Sequence, residues 1–138
     1  MELIIKETEG YAKKEPCEQK PVFTINNDIL IKCTPNGCKK IAIPTGIKTI
    51  GKDCFTGTDV EEVILPEGIE RIEPCAFANC TELKKINFPE TLNVIKDRVF
   101  LNCHLLTEVI LPETLAELGN YAFYDTALKN WSCQKERH

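Results

Sequence analysis

Histidine is nearly missing from this 138-residue sequence: there are two, and His104 is the only one inside the chain. That leaves no histidine pair for an acid–base relay or a His-rich metal site. The eight cysteines offer no C-x-x-C, their closest spacings being Cys33-x4-Cys38 and Cys75-x4-Cys80. Structural zinc sites use tighter pairs. Long apolar runs are absent as well. None reaches the roughly 18 residues of a membrane-spanning helix, and the opening MELIIKETEGYAKKE breaks its apolar burst with charge, so it carries no secretory h-region. The expectation is a cytoplasmic protein with mostly reduced thiols packed as small hydrophobes. Nor is there a basic excess, since 17 Lys and Arg against 21 Asp and Glu leave a net charge of -4. This disfavours nucleic acid and membrane as partners and leaves a protein partner, including a basic one.

What the sequence has is repetition. Four segments align, here called coils 1 to 4: CKKIAIPTGIKTIGKDCFTGTD (38–59), VEEVILPEGIERIEPCAFANCTE (60–82), LKKINFPETLNVIKDRVFLNCHL (83–105) and LTEVILPETLAELGNYAFYDTA (106–127). A truncated LKNWSC follows, and the period is 22 or 23 residues. Ile41/Ile43, Val63/Leu65, Ile86/Phe88, Val109/Leu111 and Trp131/Cys133 alternate with polar or smaller residues, the pattern of a short strand showing one face to a core. Pro44, Pro66, Pro89 and Pro112 end each strand because proline cannot donate to a ladder. Ile47/Ile50, Ile69/Ile72, Leu92/Ile95 and Leu115/Leu118 point inward from the returning segment. Phe55, Phe77, Phe100 and Phe123 form a stacked column, each after a small or compact residue (Cys54, Ala76, Val99, Ala122) at a tight turn. One copy cannot bury both its strand and its Phe, whereas stacked copies can.

The pattern xxIxLPExLxxIxxxAFxxCxxL, over residues 38 to 133, resembles the BspA-type leucine-rich repeat family. The resemblance implies a leucine-rich repeat solenoid of the right-handed β/α superhelix type, mostly short parallel strands joined by turns and short 3-10 segments. It also implies that Cys80 and Cys103 are buried, and it links the chain to adhesion and protein recognition rather than catalysis. VFTINNDILIKCTPNG resembles the hairpin that opens such arrays, with Asn26, Asn27 and Asp28 as turn residues. The expected organisation is an N-terminal cap and hairpin (1–37) followed by repeats (38–138), one domain overall.

Two decoys have plainer readings. GIKTIGKD (Gly46 to Asp53) nearly fits a phosphate-binding loop, but Asp53 sets a negative charge where a magnesium-binding hydroxyl belongs. The glycines align instead with Gly68 and Gly119. A Cys103–His104 nucleophile would need a thiol that the repeat turns inward. No catalytic residue, metal or cofactor is expected.

The outward columns carry the candidate binding residues. Lys40, Glu62, Lys85 and Glu108 alternate in sign, as do Lys39, Glu61 and Lys84, and such ladders satisfy themselves. Two columns do not cancel. Ala42, Ile64, Asn87, Ile110 and Ser132 face outward on the concave strand side, with isoleucines the core does not need. Just beyond the prolines, Glu67, Glu90 and Glu113 place like charges on successive rungs. An apolar stripe beside an acidic edge has the make-up of an interface core and rim. The expected function is a non-catalytic protein-interaction module using this face. The alternatives are a small acidic inhibitor of a basic nucleic-acid-handling enzyme and a fragment of a cell-surface adhesin.

Overall fold

The computed structural model describes residues 4–7 and 19–133, with side chains described over 19–129. In chain order the strands are β1 (Ile4–Glu7), β2 (Val22–Asn26), β3 (Ile29–Thr34), β4 (Lys40–Ala42), β5 (Thr49–Ile50), β6 (Glu62–Ile64), β7 (Arg71–Ile72), β8 (Lys85–Ile86), β9 (Val94–Ile95), β10 (Glu108–Leu111), β11 (Glu117–Leu118) and β12 (Asn130–Cys133). Strands this short have no ladder partner within their own coil, so they pair with the neighbouring coils.

This happens on three sides. The first is the expected strand ladder, β4, β6 and β8 in parallel register, with β10 and β12 paired beyond. The second is a parallel ladder built from the returning segments, β3-β5-β7-β9-β11, which the repeat pattern did not announce as strand. The hairpin joins this second ladder: β2 pairs antiparallel with β3 around Asn27 (φ 59°), and β1 adds outside β2. On the third side the Phe turns bond forward, Phe55 N to Ala76 O at 2.7 Å, Phe77 N to Val99 O at 2.9 Å and Phe100 N to Ala122 O at 2.7 Å.

The expected short 3-10 segments and β/α character give way to turns, and no helix occurs among the described residues. The reason lies in the turn chemistry. Each Phe turn has two left-handed residues, Asp53 and Gly57 in coil 1, Cys75 and Asn79 in coil 2, Arg98 and Asn102 in coil 3, Tyr121 and Asp125 in coil 4. Amides alternate between a bond three residues back, as in Thr58 N to Phe55 O (3.1 Å), and one to the next coil, so no helical run propagates.

Inside, the Phe rings stack face to face at 4.8, 5.3 and 5.1 Å along Phe55, Phe77, Phe100 and Phe123. The strand and returning columns are buried as expected with three departures. Leu118 is exposed because β11 is the last strand of its sheet. Ile86 and Phe88 are partly exposed in coil 3. The Trp131 and Cys133 side chains lie outside the described residues. Glycine is required where coils touch: a Cβ on Gly119 would sit 2.3 Å from the Lys96 carbonyl carbon.

Cys38 is an exception to the expectation of mostly reduced thiols, being disulfide-bonded. Its Sγ lies 3.1 Å from the Gln19 carbonyl oxygen, so the bridge sits where the N-terminal region meets coil 1. Cys33, Cys54, Cys75, Cys80 and Cys103 are free. Cys80 and Cys103 point inward, and each thiol donates to the preceding coil's Phe carbonyl, Phe55 O at 3.1 Å and Phe77 O at 3.2 Å. Burial pushes the Cys33 and Cys103 thiols up to about 12 and Cys80 up to about 11.

Phe100→Ala should cost about 3–5 kcal/mol in urea unfolding, since it empties a rung stacked on both sides, and Phe123→Ala should cost less because Phe123 is only partly buried. Thiols whose acidity is suppressed only in the fold hold their protons at a pH where the unfolded chain has released them. Stability should therefore hold below pH 9 and fall as pH rises toward 11 to 12. The urea midpoint from pH 7 to 10.5 measures this, and a variant with alanine at Cys33, Cys80 and Cys103 should show a flatter profile.

Candidate binding face

The outward column forms on the strand ladder with the expected register, Ala42 beside Ile64 and Ile110 beside Ser132. Alternation turns Val63, Val109 and Leu111 inward and Ile64 and Ile110 out, leaving them 37% and 57% exposed. Ala42 is half-buried, and the Ser132 side chain lies outside the described residues.

Asn87 does something its sequence position did not reveal. In the regular junction the main chain pairs directly, Ile43 N donating to Ile64 O at 3.0 Å. One coil later the Asn87 carboxamide takes the place of its own peptide: Leu65 N donates to Asn87 Oδ1 at 2.8 Å, and Asn87 Nδ2 donates to Leu65 O at 3.0 Å. The chain at Asn87 and Phe88 thereby steps out of the ladder. Phe88, larger than the Ile43, Leu65 and Leu111 of its column, turns edge-on to Phe100 with ring centres 5.8 Å apart.

The consequence falls between coils 3 and 4. β8 has a ladder partner in β6 but none in β10. The other two sides of this junction stay closed, with Ala116 N to Asn93 O at 2.8 Å, Gly119 N to Ile95 O at 2.7 Å and Arg98 N to Asn120 O at 3.0 Å. The strand face therefore splits at one place. An open groove of about 700 Å³ occupies the split, with Ile86 and Phe88 among its lining and Ile64 and Ile110 at its borders.

The acidic edge lies in register beside it. Thr91 Oγ1 accepts from Gly68 N (2.9 Å) and donates to Ile69 O (2.8 Å), and Thr114 Oγ1 reaches Glu90 O (2.6 Å) and Leu92 O (2.7 Å). These hydroxyls stack the post-proline turns, placing the exposed Glu67, Glu90 and Glu113 on successive rungs. Among the described residues none of the three carboxylates forms an ion pair. In the charge ladders Lys84 and Glu61 approach to 3.9 Å, while Lys39 turns to Asp59 at 2.8 Å. His104 pairs with exposed Asp125 at 3.3 Å and is not joined to the Cys103 thiol, which is bonded inward.

A repeat with these columns, prolines and stacked Phe turns matches the BspA type leucine rich repeat region in six copies over residues 22–136. The chain belongs to that family. The match includes the hairpin. No curated protein matches. Among solved structures the chain is similar to the pneumococcal vaccine antigen PcpA (25% identity, TM-score 0.75), covering 81% of this chain and 28% of that one. It is similar to a leucine-rich repeat protein of Bacteroides capillosus (23% identity, TM-score 0.74; 83% of this chain, 94% of that one) and to a leucine rich cell surface protein of Faecalibacterium prausnitzii (21% identity, TM-score 0.59; 91% and 41%). The chain thus spans under a third of PcpA.

Asn87→Ala should cost about 1–3 kcal/mol in urea unfolding, because it strands the Leu65 N–H and C=O that the carboxamide satisfies. An alanine at exposed Glu90 should change the midpoint little.

Proposed function

We propose that this protein is a non-catalytic protein-binding module acting through the strand face. The observation that supports this most directly is the pairing of exposed Ile64 and Ile110 across the groove, large apolar side chains that contribute little to the core. Around them the exposed carboxylates at Glu67, Glu90 and Glu113, without an ion pair among the described residues, provide an acidic rim suited to a basic partner. Ala42 and Ser132 extend the same column at either end. Asn87 supports the face structurally, since both polar groups of its side chain are engaged with Leu65.

For location, a cell-surface setting is better supported than the cytoplasm. Disulfides persist in oxidising compartments, and Cys38 carries one. PcpA is described as a vaccine antigen and the Faecalibacterium protein as a cell surface protein. These observations favour the surface-protein reading over an intracellular inhibitor.

Ile64→Asp and Ile110→Asp should each weaken partner capture by about tenfold or more while moving the melting temperature little, because both side chains lie outside the core. Capture on immobilised wild-type and variant chains, with melting curves alongside, checks this. Lysines at Glu67, Glu90 and Glu113 should slow association and flatten its salt dependence. A partner whose affinity survives both sets of substitutions places the binding surface elsewhere.

A further inference from the structure

Resting on the strand face as the binding surface, we infer that the gap between β8 and β10 is an anchor cleft for an extended segment of a partner protein. One bulky apolar side chain of the segment seats on Ile86 and Phe88, and its basic residues lie against Glu67, Glu90 and Glu113.

The floor comes first. In coils 1, 2 and 4 the strand's core columns are closed, with Ile41, Val63 and Val109 at 0%, 1% and 3% exposure, whereas Ile86 and Phe88 are only partly buried. The gap therefore opens onto core side chains. Its volume of about 700 Å³ suits one or two side chains and a stretch of main chain, not a folded domain. Ile64 and Ile110 wall it with apolar surface.

Main-chain chemistry favours an extended occupant. Among the described residues the edge of β8 that faces coil 4 has no ladder partner, and although β10 lies too near for a whole strand to enter, a segment lying over the gap gains main-chain hydrogen bonds at that edge while its alternate side chains reach the floor. Charge sets the composition. At the strand start Lys84 and Lys85 are matched by Glu62 and Glu108 in the same groove lining, so that end is formally neutral. Past the prolines stand three carboxylates without an ion pair among the described residues. Basic residues at one end of the segment neutralise them. A second copy of this chain, at net charge -4, is the wrong electrostatic partner.

The sequence itself supplies the closing experiment. Coils 2 and 4 read Ile-Leu-Pro (Ile64 to Pro66, Ile110 to Pro112) where coil 3 reads Asn-Phe-Pro (Asn87 to Pro89). Asn87→Ile with Phe88→Leu gives coil 3 its neighbours' sequence and restores the peptide ladder, which slowed amide exchange at residues 85–88 verifies. The probe is an acetylated, amidated heptapeptide with a central phenylalanine flanked by valines and two lysines at one end, titrated by NMR. The expected result is saturable shifts at Val63, Ile86, Phe88 and Val109, weakened about tenfold or more by the closing substitutions, by alanine for the peptide phenylalanine and by glutamates for its lysines. Absent shifts, or equal affinity for the closed variant, overturn the inference. If the closed variant does not fold, Thr107→Trp, on the groove's exposed rim, blocks the cleft in its place. Partner capture separates the two readings. Capture that survives closure yet fails with Ile64→Asp and Ile110→Asp removes the cleft and keeps the strand face, whereas capture that survives all of them removes both.

Discussion

The fold depends on one constraint: a coil of 22 or 23 residues cannot satisfy its own main chain. Donors on the two strand ladders reach both ways, back as from Glu70 N to Lys48 O (2.7 Å) and forward as from Ile43 N to Ile64 O (3.0 Å), while those at the Phe turns reach forward, as from Asn79 N to Leu101 O (2.7 Å). The junctions between coils 1, 2 and 3 are thereby held on three sides and that between coils 3 and 4 on two, and the spacing these bonds set brings successive Phe rings to stacking distance. Hydrogen bonding and aromatic packing here follow from one repeat distance.

The turns obey the same constraint by several chemical routes. After the proline, coils 1 and 2 use glycine in the left-handed region, Gly46 at φ 94° and Gly68 at φ 109°. Coils 3 and 4 carry Thr91 and Thr114 there and spend the hydroxyl on inter-coil bonds. In the Phe turns, bulky Arg98 and Tyr121 occupy left-handed backbone at φ 57° and 61°, a conformation costing a non-glycine residue about 1–2 kcal/mol. They offset part of it together, the Arg98 guanidinium lying 5.4 Å from the Tyr121 ring centre.

Much of this was readable in the sequence because the signal repeats. The strand column occurs five times and the prolines and the Phe ladder four times each, and the inward and outward assignment of Ile64 and Ile110 follows from alternation. The second ladder was not readable as strand, since two residues such as Thr49–Ile50 are too short to show a period. The disulfide at Cys38 was hidden because spacing does not reveal connectivity. Asn87 was recognised as an outward polar residue in an apolar column, but not that its side chain would replace its peptide. The available clue was the change from Ile-Leu to Asn-Phe in coil 3 alone. The column pattern points Leu118 inward like its counterparts, but the sheet's edge exposes it.

The split between β8 and β10 also has a mechanical meaning. When an array of this kind is pulled along its axis, the load at each junction is shared among the bonded sides, and this junction has two where those between coils 1, 2 and 3 have three. The missing side lies on one face, so tension there produces bending as well as separation, with the Phe turns and the β9–β11 ladder acting as the pivot. The protein therefore has a built-in compliant point. Stretching or flexing widens the strand face at coil 3 before it disturbs the junctions between coils 1, 2 and 3.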